Sequence, residues 1–365
     1  MNRIASLAAA ALLFASTTVA CADTTPPLVE TLDLSTMSAT IDGGEFRRIE
    51  AIVVDRGGEI VFEDYYRRSG PESRIDARSA GKSITAIALG MAIEDEALAG
   101  VERPLLSFFA DAEPIAHDGD AKRAITLHDV LTMSSALDCN DWTGESPGNE
   151  ERMYDSDDWT RFALDIPVDA DYRRHAESGQ GRFSYCTAGV FLLGRVVERA
   201  VGEPFEDYVQ RRLFDPLDIV DPEWRRAPEG VVQTGGQLSL RARDFTAIGR
   251  LVMDGGDHDG GSLISRDWLR DMLRPRVQAT PDQAYGYLWW VANFRVGESD
   301  TAYSGFYMSG NGGNKVVLFP DLDTVVTILS TNYNRRDMHR QTTALIENHI
   351  LPALVAEAGE AERTP

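Results

Sequence analysis

Ser79-Ala80-Gly81-Lys82-Ser83-Ile84-Thr85-Ala86-Ile87-Ala88-Leu89-Gly90-Met91-Ala92 is the stretch from which the rest of the chain can be placed. From Ser83 to Ala99 the apolar residues Ile84, Ile87, Ala88, Met91 and Ala92 recur at helical spacing, which predicts a helix with one face in a core. Ser79 and Lys82 stand where that helix begins. Three residues apart at helical rise they share a face, so an amine lies beside a hydroxyl whose proton it could take. The first-turn N–H groups add a positive field that favours a developing oxyanion. Of 36 basic residues only Lys82, Lys122 and Lys315 are lysines. Lysine can lose its proton on desolvation, whereas arginine effectively cannot. The competing reading has Ser79 capping the helix and Lys82 pointing into water.

Outward from this helix the pattern changes at both ends. Residues 45–63 alternate around Asp55-Arg56-Gly57-Gly58 and predict a β-hairpin. Strands are predicted again at 287–293, 303–308, 316–319 and 324–330. Between lie helical patterns at 125–133 (capped by Thr126), 188–200, 203–213, 242–253 and 265–273, and a last one at 342–354. Residues 140–158 are polar, acidic and broken by Pro147-Gly148, a long loop that could serve as a lid with Trp142 and Trp159 at its ends. Such an order implies an α+β domain: one sheet built from the two ends of the chain, with a helical subdomain inserted. Its limits are 45–354, with 45–80 and 285–354 forming the sheet part and 81–284 the helical part. Residues 23–44 read as a lead-in and 355–365 as a flexible tail.

The 365 residues carry 58 acidic and 36 basic side chains, a formal net charge of -22. That balance excludes nucleic acid or an anionic lipid surface held through a basic patch. Residues 1–22 join a positive start to a short apolar run and the Ala20-Cys21-Ala22 site, the pattern of a secretory signal peptide. Thr18-Val19-Ala20-Cys21 admits a second reading, a lipoprotein site with Cys21 as anchor. Either way the mature protein is exported, to the periplasm or cell envelope. Cys139 and Cys186 then remain as a pair in an oxidising compartment. A bridge would close a loop of roughly 47 residues, worth about 4 kcal/mol on the chain-entropy account; two buried free thiols are the alternative. No metal-ligand spacing occurs and no cofactor is implied. The sequence carries no signal for an oligomeric state.

Two further motifs bear on chemistry. Tyr185, in Phe183-Ser184-Tyr185-Cys186-Thr187, enters the 188–200 helix and could shuttle a proton to a leaving group. Packing of Tyr185 as a half-buried aromatic, with Thr187 as N-cap, is the plain alternative. Ser309-Gly310-Asn311-Gly312-Gly313-Asn314 precedes a strand, and glycines there permit close approach of a ligand to the backbone. The N–H of Asn314, paired with that of Ser79, could form an oxyanion hole. An ordinary glycine turn is the alternative.

Together these elements resemble the serine β-lactamase and penicillin-binding protein superfamily, especially its class C-like esterase and 6-aminohexanoate-dimer hydrolase-like branch. Ser79-x-x-Lys82 matches the first family motif, Tyr185-Cys186-Thr187 stands for Tyr-x-Asn, and Asn311-Gly312-Gly313 for the third motif. Residues 125–135, 235–239 and 319–333 look like the family as well, so the resemblance spans roughly 45 to 335. It implies a β-lactamase-like, penicillin-binding transpeptidase-like fold, an antiparallel sheet flanked by helices. It also implies Ser79 as nucleophile, Lys82 as base, Tyr185 as proton relay, and Thr187, Asn311 and Gly313 as substrate contacts. Two departures matter. Thr187 lacks the carboxamide of the family Asn, and Asn311 lacks the cation that grips a carboxylate. Lys315 could substitute only if an extended strand let it reach the same place. The expected activity is hydrolysis of a small uncharged ester or amide. A penicillin-recognising sensor module, a weak β-lactamase or a D-amino peptidase are the alternatives. Tyr285, Tyr287, Trp289, Trp290, Phe306 and Tyr307 either line an apolar pocket or pack the sheet.

Overall fold

The computed structural model describes residues 32–177 and 179–361; the leader, Cys21 and the lead-in up to residue 31 lie outside them. In chain order the elements used below are α1 (Ser35–Asp42), β1 (Ile49–Arg56), β2 (Glu59–Tyr65), α2 (Lys82–Glu94) and α3 (Leu127–Leu131). They continue with α4 (Glu150–Tyr154), α5 (Thr187–Val201), α6 (Ala242–Met253), α7 (Arg266–Leu273), β3 (Val277–Thr280) and β4 (Gln283–Tyr285). Last come β5 (Trp290–Arg295), β6 (Ala302–Gly310), β7 (Asn314–Phe319), β8 (Thr324–Ser330), α8 (Met338–Leu345) and α9 (Leu351–Ala361).

Gly57 and Gly58 both take positive φ, 60° and 87°, which a two-residue hairpin turn requires and which glycine adopts without steric cost. The hairpin β1–β2 then joins an eight-stranded sheet of order β2-β1-β8-β7-β6-β5-β4-β3, antiparallel at every pairing. The first two strands and the last six thus meet through β1 and β8, the union of chain ends anticipated above.

Alternation along the strands gives each face its own core. On β7, Val316 and Leu318 pack with α2, α5 and α6, while Val317 and Phe319 pack with α1 and the C-terminal helices. α2 goes further than an amphipathic helix. Every residue from Lys82 to Ala92 is buried, so the helix is wrapped on all sides rather than laid on one face. At Gly90 the packing is closest: a Cβ there would lie 2.0 Å from the Trp268 indole nitrogen of α7.

Several boundaries differ from the sequence reading, each for a physical reason. β5 starts at Trp290 rather than Tyr287, because Leu288 takes a left-handed φ of 56° and its N–H bonds to Leu131 O. β3 and β4 extend the sheet back to Val277, so the helical part ends before 284. The lead-in supplies core: Leu34, Met37 and Ile41 are buried against the outer face of the sheet. The tail is helical as far as Ala361 rather than flexible from 355. The acidic loop contains α4, capped by Asn149, whose side chain accepts the Glu151 N–H at 3.0 Å.

Gly90→Ala is expected to lower unfolding stability by about 1–3 kcal/mol, since the indole must move and the core there is already full. Urea denaturation followed by tryptophan fluorescence measures it.

Candidate active site

A short 3-10 turn, Arg78–Gly81, feeds α2 and carries Ser79. Arg78 takes a left-handed φ of 54°, a strained conformation for a side-chain-bearing residue. Its surroundings hold it there. Its carbonyl accepts the Gln237 N–H at 3.1 Å, its guanidinium lies 4.2 Å above the Tyr333 ring, and Nε is 3.2 Å from Asp76 Oδ2. Gly236 backs the turn so closely that a Cβ would sit 2.8 Å from Arg78 O. That contact accounts for Gly236, while at Gly235 a Cβ would lie 2.7 Å from Thr187 Cγ2.

Lys82 is 1% exposed, and its Nζ lies 3.0 Å from Ser79 Oγ, donates to Thr187 Oγ1 at 2.8 Å and donates to Gly235 O at 2.6 Å. Burial disfavours the ammonium and holds the Lys82 pKa below the ordinary lysine value, with the Glu150 and Asp141 carboxylates opposing. The reading in which Lys82 points into water is overturned. Tyr185 is 8% exposed, with its ring stacked between Trp142 at 5.8 Å and Trp290 at 6.0 Å. Lys82 Nζ is 4.9 Å from the centre of that ring. Burial raises the phenol well above its ordinary value, opposed by a side-chain hydrogen bond with Ser79, so Tyr185 carries its proton at neutral pH.

Thr187 opens α5, with Cys186 rather than Thr187 in the capping position. The Thr187 N–H donates to Asp141 Oδ2 at 2.7 Å, and the Glu150 N–H donates to Asp141 Oδ1 at 2.9 Å. Burial, then the neighbouring Glu150 charge, pushes the Asp141 carboxyl up to about 6. Cys139 and Cys186 are bridged, with Cα atoms 5.3 Å apart. The bridge fastens the acidic loop that bears Asp141 to the segment that bears Tyr185 and Thr187.

The third motif is shifted from its expected position. β6 runs against the Ser79 turn at Gly310, where a Cβ would stand 1.9 Å from Ala77 O. Ser309, Gly310 and Asn311 line a cavity of about 630 Å³ together with Ser79 and Tyr185. Asn314 and Gly313 do not. Asn314 is fully buried behind the turn, donating to Asn311 O at 2.7 Å and accepting the Ser330 N–H at 2.8 Å. Gly313 packs on Met338, whose carbonyl would be 2.3 Å from an added Cβ. The Asn311 side chain is engaged with Asn334, donating to Oδ1 at 2.6 Å and accepting its N–H at 2.7 Å. Lys315 shares the parity of Val317 and Phe319 and lines the same cavity, with Nζ bonded to Thr342 Oγ1 at 3.0 Å.

Of the aromatics, Trp142, Trp290 and Tyr307 line the cavity, whereas Tyr285, Tyr287 and Trp289 are core. Trp159 is core as well, so only Trp142, 59% exposed, is placed as a cover over Tyr185. Phe306 faces a larger hollow of about 1140 Å³ beside Trp268, which contains none of the three motifs. Sequence reasoning missed Asp141, Glu150 and the Gly235 carbonyl. The clustering of acids between Cys139 and α4 is the available signal, in a segment whose composition reads as a loop and possible lid.

With this geometry in view, comparison with known proteins is informative. The Beta-lactamase family matches residues 46–349. The 6-aminohexanoate-dimer hydrolase of Paenarthrobacter ureafaciens is 27% identical over 304 residues, 77% of this chain and 72% of that enzyme. The lovastatin esterase of Penicillium rubens is 25% identical over 256 residues, 61% of this chain and 59% of that enzyme. Among solved structures, the octameric penicillin-binding protein homologue from Pyrococcus abyssi superposes with a TM-score of 0.65 at 19% identity, over 86% of this chain and 75% of that one.

Two variants test this construction. Gly310→Ala must displace the Ser79 turn, and if that turn carries the reacting group, a 1 Å displacement is expected to lower kcat/KM about a hundredfold. Replacing Cys139 and Cys186 by serine together should lower stability by about 2–4 kcal/mol. Thermal melting with and without reductant reads the second.

Proposed function

The chain belongs to the Beta-lactamase family and is a serine hydrolase; we propose that it is exported and cleaves a small ester or amide through an acyl-enzyme on Ser79. The observation that carries this reading is the 3.0 Å approach of Lys82 Nζ to Ser79 Oγ inside a dry core that favours the neutral amine. Neutral Lys82 accepts the Ser79 proton as Oγ attacks the carbonyl carbon, and the carbonyl electrons move onto oxygen. The N–H of Ser79 and a backbone N–H of the Ser309–Asn311 rim hold that oxyanion. Tyr185, still protonated, passes a proton to the leaving group and recovers one from Lys82. Water then enters by the same route in reverse and releases the acid.

The names of the relatives, a 6-aminohexanoate-dimer hydrolase and a lovastatin esterase, support this substrate class. So does the absence of any arginine from the cavity lining among the described residues, which leaves no guanidinium to fork onto a carboxylate. Stacked rings at Trp142, Tyr185 and Trp290 fit an apolar acyl or alcohol group. The disulfide fits an oxidising compartment and hence export. A binding module without turnover has no use for a desolvated lysine between two hydroxyls.

Hydrolysis of p-nitrophenyl butyrate is the direct test. Ser79→Ala should lower kcat by more than about a thousandfold with an unchanged circular dichroism spectrum; turnover at the wild-type rate would sink the proposal. The pH dependence has a defined sign. Because the active form is the neutral amine, kcat/KM should rise with pH through the lowered pKa of Lys82 and level off below the range of an ordinary lysine.

A further inference from the structure

Lys82 sits in a closed ring of hydrogen bonds that runs through two partly buried acids, Asp141 and Glu150. Its Nζ donates to Thr187 Oγ1 at 2.8 Å, and the Thr187 N–H donates to Asp141 Oδ2 at 2.7 Å. Asp141 Oδ1 accepts the Glu150 N–H at 2.9 Å, and Glu150 Oε2 accepts the Tyr154 hydroxyl at 3.0 Å. Tyr154 accepts from Gln233 Nε2 at 3.4 Å, Gln233 Oε1 accepts the Gly235 N–H at 2.8 Å, and Gly235 O returns to Lys82 Nζ at 2.6 Å. The ring holds negative charge next to the amine, and both carboxylates also line the cavity that Ser79 faces.

Resting on the Ser79–Lys82 reading above, we propose that Asp141 is a positioning residue whose carboxylate is the counter-charge of the ammonium formed on Lys82 during attack. The proton balance is simple. The Ser79 proton moves to Lys82, Oγ bonds to the carbonyl carbon, and Asp141 neither gains nor loses a proton. Its charge matters only while Lys82 is an ammonium, so the interaction is stronger in the transition state than in the ground state. A full hydrogen-bonding seat for that ammonium, with Ser79, Thr187 and Gly235 O as acceptors, would be unfavourable in so dry a place without a compensating charge. Thr187 makes the link: where the family places a carboxamide, its hydroxyl meets Lys82 and its backbone N–H orients Asp141. The titratable groups facing Asp141 are Lys82, Glu150, Tyr154 and Tyr185, and of these only Lys82 changes charge in the proposed cycle.

The test is the pH profile of kcat/KM for p-nitrophenyl butyrate with Asp141→Asn and, separately, Glu150→Gln. Removing either negative charge lowers the affinity of Lys82 for a proton. The acid limb should therefore move to lower pH, by about one pH unit in Asp141→Asn and less in Glu150→Gln. The plateau should fall about tenfold or more in Asp141→Asn. A purely structural role for Asp141 predicts a lower plateau with the limb unmoved, and that result would overturn the proposal. Should Asp141→Asn not fold, Glu150→Gln reads the same charge effect, since glutamine can still accept the Tyr154 hydroxyl. An unmoved limb in that folded variant would likewise overturn it. Lys82→Met separates this inference from the reading beneath it. An inactive Lys82→Met beside an unmoved limb removes the counter-charge alone, whereas an active Lys82→Met removes both.

Discussion

A lysine amine in a dry interior is the constraint around which the rest of the molecule is arranged. An ammonium is costly to desolvate, and the proposed role of Lys82 as a base requires surroundings that tolerate both the amine and the ammonium. α2 meets the first demand by being apolar on every side, so that Lys82 enters the core at its first turn. The second demand recruits acceptors from distant parts of the chain: Ser79 one turn before, Thr187 from α5 and Gly235 from the loop before α6. Once those three are fixed, the glycines at 235, 236 and 310 follow, because each lets a backbone approach where a side chain would collide.

The sheet serves this arrangement by bringing β6 against the nucleophile turn. β5 pairs with β6 only as far as Tyr307, so the last residues of β6 are released from that neighbour and lie beside Ser79 instead. The same register turns Lys315 to the opposite face, beneath α8, where burial brings its pKa down to about 7. Two lysines with similar burial therefore have different partners, Ser79, Thr187 and Gly235 for Lys82 and Thr342 for Lys315.

Much of this was legible in residue order. The hairpin at Gly57-Gly58, β8 and the α6 limits follow from local patterns that tertiary contacts leave in place. The Ser79–Lys82 pair was legible because a three-residue spacing fixes relative position within one helix turn. The place of Asn314 was not, since the registration of β6 and β7 decides which backbone lines the cavity with Ser79: Ser309, Gly310 and Asn311 do, and Asn314 is buried behind them. β3 and β4 were missed because Gln278, Thr280 and Gln283 give an edge of the sheet polar character. Asp141 was hidden by composition: in a chain with 58 acids, one more in an acidic loop reads as surface.

The lysine count acquires a wider meaning in the fold. Lys82, Lys122 and Lys315 are all buried, at 1%, 2% and 3% exposure, and arginine supplies the remaining basic side chains. Retention of lysine thus marks desolvated positions in general, of which the nucleophile's neighbour is one. An amine-selective reagent consequently finds no exposed lysine side chain on this protein. Acylation of Lys122, which is buried and does not line the cavity, would report the opening of a buried segment, so that amine labelling there becomes a probe of local unfolding rather than of surface accessibility.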